Sequence, residues 1–225
     1  MNAWIKKQNI IILIIIIVFV ALLSLVIVKN RSKSDTRDRV IGKFQNVEDV
    51  EWLTYTDEKF NFQIEYPSTW ELFKQYNDAP PVISFYPKQK DIELPFTFYD
   101  DTVTVVSIYP QGSEAEALSG KRKKVNLQIK ESVNISEDYL LKGGDVWANF
   151  TNFQNPPGTW QRWGFLWASA TVKNVSYGCE RNGNPIEIEE CNPFIGDEIT
   201  RQGKVDVNAI EIEKHILESF EFIEN

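Results

Sequence analysis

The chain has 225 residues, 43% of them hydrophobic and 25% charged, which suits one folded domain with an appendage rather than several domains. Its formal net charge is −8. The seven basic and two acidic residues through Arg39, taken from totals of 24 and 32, leave 17 basic against 30 acidic side chains beyond it. So acidic a body repels polyphosphate, which argues against a nucleic-acid partner.

From Ile10 to Val28 the sequence carries no charge, and Ser24 is its only polar side chain. As a helix such a run would be about 28 Å long, close to the thickness of a bilayer's hydrocarbon core. Trp4 stands before it at headgroup level, and Lys6, Lys7 and Lys29 bracket it. The run predicts a transmembrane helix over 10–28 behind a short flank, 1–9. A cleaved leader is the alternative, but its apolar region would be shorter, and here Val26-Ile27-Val28 passes straight into Lys29-Asn30-Arg31 with no small-residue cleavage site. Residues 29–50 are polar and lack apolar periodicity, so they read as a charged stalk suited to anionic headgroups. Orientation is contested by two signals. Lys29, Arg31, Lys33, Arg37 and Arg39 outnumber Lys6 and Lys7, which by the positive-inside rule favours a cytoplasmic domain. The paired cysteines favour an extracytoplasmic one, and long domains cross regardless of charge. The expectation taken forward is a single-pass membrane protein with its domain, 51–225, outside the cytoplasm.

Within that domain, Phe60-Asn-Phe62-Gln-Ile64-Glu-Tyr66 alternates apolar and polar residues, as a half-buried strand does. Pro67-Ser68 interrupts it, and Trp70-Glu-Leu72 starts a second run, so the two read as neighbouring strands joined by a tight turn. Val82 to Tyr86 and the β-branched Thr102 to Tyr109 read as the next strands, each closed by proline. Ser113 to Leu118 predicts a short helix ended by Gly120. Strands are then expected over Val125–Lys130, Val146–Phe150 and the aromatic-rich stretch from Trp160 to Val172. Val207, Ile210, Lys214 and Leu217, with Ile216 and Phe220 widening the stripe, predict a helix. Asn208 and Glu211 resemble a capping box at its start, and Phe220-Glu-Phe222 reads as a terminal strand. The sum is an α+β fold, a central and mostly antiparallel sheet flanked by helices.

Phe60-x-Phe62-x-Ile64-x-Tyr66-Pro67-Ser68-x-Trp70 resembles the opening motif of PsbP-like domains. Ile216-Leu-Glu-Ser-Phe220-Glu-Phe222 is similar to the way such domains close, and Gly143-Gly144-Asp145-Val146-Trp147-Ala148 falls where their central glycine segment lies. The resemblance implies an α-β-α sandwich. It implies nothing firm about activity, since fold does not carry function.

Cys179 and Cys191 bracket a segment with a turn signal at Asn182-Gly-Asn-Pro185, and an isolated pair outside the cytoplasm is most simply a disulfide. Two free thiols in a cytoplasmic domain are the alternative. The sole histidine, His215, lies among Glu211, Glu213 and Glu218 with no nucleophile motif beside it, so no catalytic residue is nominated. No phosphate-binding or dinucleotide motif is present either, and no cofactor is expected. Asp100-Asp101 and Glu187-x-Glu189-Glu190 could offer oxygen ligands to Ca²⁺, although neither has EF-hand spacing; Asp197-Glu198 is a third carboxylate pair. The aromatic set Trp160, Trp163, Phe165 and Trp167 has two readings. Alternation places Trp163, Phe165 and Trp167 on one face, which is either a sheet face packed into the core or an exposed platform for a sugar or protein. These features together predict a non-enzymatic, membrane-tethered accessory module that binds a protein or envelope component. The rival is a divalent-cation-dependent protein or a hydrolase working through carboxylates.

Overall fold

The computed structural model describes residues 47–77, 80–89, 94–96, 100–113, 119–130 and 132–223. The chain divides into Met1–Lys43 and Phe44–Asn225, and only the second unit contains described residues. The helix read over 10–28, nearly all of the stalk, and residues 114–118 of the short helix expected after Ser113 therefore lie outside the described residues. Among those described, no helix is long and apolar enough to cross a membrane.

Thirteen strands and one α-helix build the described unit. Seven strands form the main sheet, all antiparallel, in the order β3 (Trp70–Gln75), β4 (Val82–Pro87), β5 (Val105–Tyr109), β9 (Phe165–Ser169), β8 (Val146–Phe153), β7 (Asn134–Leu140) and β6 (Arg122–Val125). A second sheet joins β1 (Trp52–Asp57), β2 (Phe62–Pro67) and the terminal β13 (Glu221–Phe222). A third joins β11 (Asn184–Ile186), β10 (Lys173–Arg181) and β12 (Glu198–Lys204). The helix α1 spans Val207–Ser219.

Register sorts the main sheet's side chains into two faces. Phe85 lies opposite Val106, Val106 opposite Ala168, and Ile108 opposite Leu166, all on one face. That face is buried under α1 and the small β1-β2-β13 sheet, whose Phe62, Ile64, Ile212, Ile216, Leu217 and Phe220 complete the first core. On the other face Tyr109 lies opposite Phe165 and Ser107 opposite Trp167. There Trp147, Trp167, Tyr139 and Leu141 form a second core with Val172, and Val175 and Val205 at the edges of the third sheet pack against it.

The expected α+β sandwich is thus corrected to a β-rich fold of three sheets with a single α-helix among the described residues. Among the described residues only one face of the main sheet has an α-helix. The layer expected to be helical on the other face includes a strand hairpin, from the segment that reads in sequence as a cysteine-bounded insertion. Three local expectations also change. β2 and β3 are not partners, because β2 pairs with β1 and β13 while β3 pairs with β4. The strand expected from Val125 is the short Arg122–Val125, and the aromatic strand begins only at Phe165. The cap of α1 is Asp206, whose side chain accepts from the Asn208 N–H at 3.0 Å, rather than Asn208 itself.

Candidate functional site

The third sheet projects from the end of the main sheet where β9 finishes and β8 begins. Ala170 N–H donates to the Trp147 carbonyl there, and Lys142 N–H to that of Arg201. A buried ion pair reinforces this attachment. Arg201 Nε donates to Asp101 Oδ2 at 2.9 Å, and the Tyr177 hydroxyl reaches both Asp101 oxygens at 2.8 and 2.7 Å. The Arg201 guanidinium also lies 4.5 Å from the Trp147 ring. Both Asp101 and Arg201 are buried, so each supplies the countercharge that makes the other's burial tolerable.

The outer part of this sheet is braced at several points. Arg181 pairs with Asn184 across a two-residue turn in which Asn182 and Gly183 have φ of 52° and 78°, the left-handed conformation that Asn-Gly supplies at low cost. Cys179 and Cys191 form a disulfide across a separation of 12 residues. Arg181 grips Asp197 with a fork of two bonds, Nε to Oδ1 at 2.8 Å and Nη2 to Oδ2 at 2.7 Å, and Asn192 N–H adds a third at 2.8 Å. The Arg181 bonds, with that of the Asn192 amide, hold the Asp197 carboxyl down to about 2. Ser119 Oγ donates to the Asp197 carbonyl and accepts from Ile199 N–H, which ties the loop to the body. Finally, the Asn192 side chain caps a 3-10 turn, Pro193–Ile195, closed by Gly196 at φ 96°.

What this bracing displays is apolar. Phe194 is 79% exposed, Ile195 67% and Ile188 42%. Phe194 and Ile195 are held out on the capped turn, and the preceding Glu187, Glu189 and Glu190 are all exposed. The braced turn is an apolar knob, with three exposed glutamates nearby in the chain. It has the form of a docking feature, since a solvent-exposed Phe-Ile pair on an ordered turn gains nothing from the chain's own core.

The remaining sequence candidates scatter. Asp100 Oδ1 accepts from the Thr102 amide and hydroxyl, both at 2.7 Å, and so closes a local turn while Asp101 turns inward to Arg201. The two adjacent carboxylates do not converge. Glu187, Glu189 and Glu190 are exposed, near the knob in the chain. Cys179, Cys191 and Asp197 lie within 4.8 Å of one another, but two sulfurs bonded to each other offer no thiolate to a metal. Trp160, Phe165 and Trp167 are core residues, and Trp160 Nε1 donates to the Phe60 carbonyl at 2.8 Å. Only Trp163 of that set is exposed. His215 stacks on Trp52 with ring centroids 3.8 Å apart, its Nε2 3.0 Å from Glu65 Oε2.

One further polar cluster lies elsewhere. The buried Asp57 carboxylate accepts from the Tyr55 and Tyr76 hydroxyls at 2.8 and 2.5 Å and from the Lys59 and Phe60 amides at 3.0 Å. Burial and these bonds raise both phenols, Tyr76 to about 12. The carboxylate is fully used in fastening the β1–β2 turn, so the cluster reads as structural. Sequence reasoning missed Phe194 and Ile195; it met Asp197 only as one of a carboxylate pair, and Arg181 and Ile188 only as part of the segment bracketed by the two cysteines. The available signal was the Phe-Ile pair directly after Cys191-Asn-Pro, an apolar step in a strongly acidic stretch.

No family model matches the chain, no curated protein matches it, and no solved structure matches it. None of the three comparisons identifies a PsbP-like domain.

Proposed function

We propose that the chain is a membrane-tethered binding module, its domain outside the cytoplasm, which docks a protein partner through the knob formed by Ile188, Phe194 and Ile195. The observation that carries this reading is the exposure of Phe194 and Ile195 on a turn braced by a disulfide, an Arg–Asp fork and a side-chain cap. Preorganisation of this kind lowers the ordering cost of association. The exposed Glu187, Glu189 and Glu190 nearby in the chain specify a complementary surface, an apolar pocket edged by lysine or arginine. The disulfide suits an oxidising compartment, and the uncharged run 10–28 suits the tether.

Photo-crosslinking in intact cells tests it, with a photoreactive amino acid at Phe194, at Ile195 or at the exposed Val207 on α1. The expected result is one discrete adduct from the knob positions, lost when Glu187, Glu189 and Glu190 are all replaced by lysine, and absent from Val207. Equal labelling from all three positions, or an adduct indifferent to the charge reversal, would overturn the proposal.

A further inference from the structure

Trp163 is the one exposed tryptophan among the described residues, and it lies at the end of the main sheet opposite to the one where the third sheet attaches. Register fixes this placement. Val105, Ser169 and Ala148 mark the end of the main sheet where the third sheet attaches, while Tyr109, Phe165 and Asn152 mark the opposite end. Trp163 immediately precedes Phe165.

The indole is 62% exposed yet immobilised. Its Nε1–H donates to the Gln111 carbonyl at 2.8 Å, which satisfies its one polar group within the protein. It lies on Gly112, whose φ is +74° and where a Cβ would stand 2.2 Å from Trp163 Cδ1. The two loops that carry them are joined by Gln161 N–H to the Pro110 carbonyl at 2.9 Å, and Gly164 N–H closes the Trp163 turn on the Gln161 carbonyl, also at 2.9 Å. Gly164 itself leaves no room for a side chain, since a Cβ there would meet the Pro110 carbonyl oxygen at 2.5 Å. The result is a flat aromatic face on a rigid seat, presented without use of its own donor.

Its immediate surroundings are polar. Gln111, Gln161 and Arg162 are all exposed, and Arg162 forms no ion pair with any described residue. Protein hot spots come in clusters, and no second exposed large apolar residue lies on 110–112 or 161–164. A single fixed aromatic plane whose chain neighbours are exposed amide and guanidinium donors suits a pyranose instead. The C–H face of the sugar covers the indole, its hydroxyls take the glutamines, and a carboxylate on the ring takes the fork of Arg162. We infer that Trp163, with Arg162 and Gln161, forms a second binding site, for an acidic sugar of an envelope glycan. Carrying both the knob and the sugar site, the domain bridges a protein partner and a polysaccharide. The sugar site does not depend on the knob's role and stands or falls separately.

Calorimetric titration of the full chain in detergent micelles tests it, with hexagalacturonate as the acidic probe and maltohexaose as the neutral one. Wild type is expected to bind the acidic hexamer more tightly than the neutral one. Trp163→Ala should weaken it by about tenfold or more, the scale of losing a dominant aromatic contact, and Trp163→Phe by less. Arg162→Gln should abolish the preference for the acidic probe while leaving maltohexaose unchanged, a split that misfolding does not produce. Val207→Ser, an exposed change outside both sites, should alter nothing. No heat with either hexamer at millimolar concentration, or binding that survives Trp163→Ala, would overturn the proposal, as would a protein adduct in place of a sugar one from a photoreactive residue at position 163.

Discussion

Glu213 gives the sharpest test of how the core is built. It lies on the inner stripe of α1 with Ala209, Ile216 and Phe220, it is buried, and its Oε1 has no hydrogen-bond partner. It belongs to no ion pair among the described residues, and desolvation alone pushes its carboxyl well above the ordinary range. The group is therefore carried into the fold as a neutral acid. Because its folded pKa is raised, its stability contribution is fully present below the unfolded value, about 4.3, and is lost as pH rises toward the folded value. Between the two values the slope approaches about 1.4 kcal/mol per pH unit, the cost of one proton that the unfolded chain has released and the folded chain still holds. The assay is urea unfolding of the full chain in micelles from pH 4.5 to 8, comparing wild type with Glu213→Gln and Glu213→Leu. Stability of wild type should fall against Glu213→Gln with that slope at the acid end of the range. Glu213→Leu should exceed wild type at pH 7, because it buries apolar volume without a protonation cost. A wild-type–Gln difference that stays constant across pH would refute the reasoning.

Three other outcomes follow from the third sheet and the Trp163 seat. Replacing Cys179 and Cys191 together by serine removes a loop constraint worth about 3 kcal/mol in the entropy model, and should abolish knob crosslinking; on intact cells both cysteines should label with an impermeant maleimide only after an impermeant reductant. Arg201→Met leaves the buried Asp101 carboxylate without its countercharge and should cost about 3–5 kcal/mol in denaturant unfolding, with recovery when Asp101→Asn is added. Gly112→Ala forces a Cβ into the indole at a left-handed φ and should destabilise by at least about 1 kcal/mol in the same assay, with a changed near-ultraviolet dichroism from a displaced Trp163.

Much of the main sheet was legible because its strands are marked where one or both faces are buried. Val82 to Tyr86 and Val105 to Tyr109 are β-branched or aromatic apart from Ser84 and Ser107, and each is closed by proline. α1 was legible as a helix but only partly as a face: of the stripe read in sequence Ile216, Leu217 and Phe220 are buried, while Val207 and Lys214 are exposed and the inner face is completed by Ala209, Ile212 and Glu213. Pairing was not legible, as the separation of β2 from β3 shows. Pro67-Ser68 marks a turn but does not say whether the chain folds back onto the same sheet or crosses to another. β9 hid its exposed neighbour for a related reason. All five of its residues are buried, so alternation assigns no outer face, and the open aromatic, Trp163, stands just before the strand. The third sheet was invisible as a sheet. Along Lys173–Arg181 only Cys179 is buried, so there is no apolar period to detect. Its fastening comes from paired charges and a disulfide that meet only in three dimensions.

That last point bears on what the third sheet is for. A three-stranded ribbon with little apolar surface gains little from the hydrophobic effect, and such ribbons are marginal by themselves in water. Here a disulfide, two Arg–Asp pairs and a side-chain cap all hold it in one conformation, and most of them act on residues 179 to 201. None of these devices enlarges either core. If the ribbon merely covered the second core, Val175 and Val205 at its base would do so without the nine-residue strand and braced turn beyond them. The extra length carries Ile188, Phe194 and Ile195, and all three are exposed. Bracing concentrated on a segment that buries so little is best accounted for by what the segment presents, and the apolar knob is what it presents.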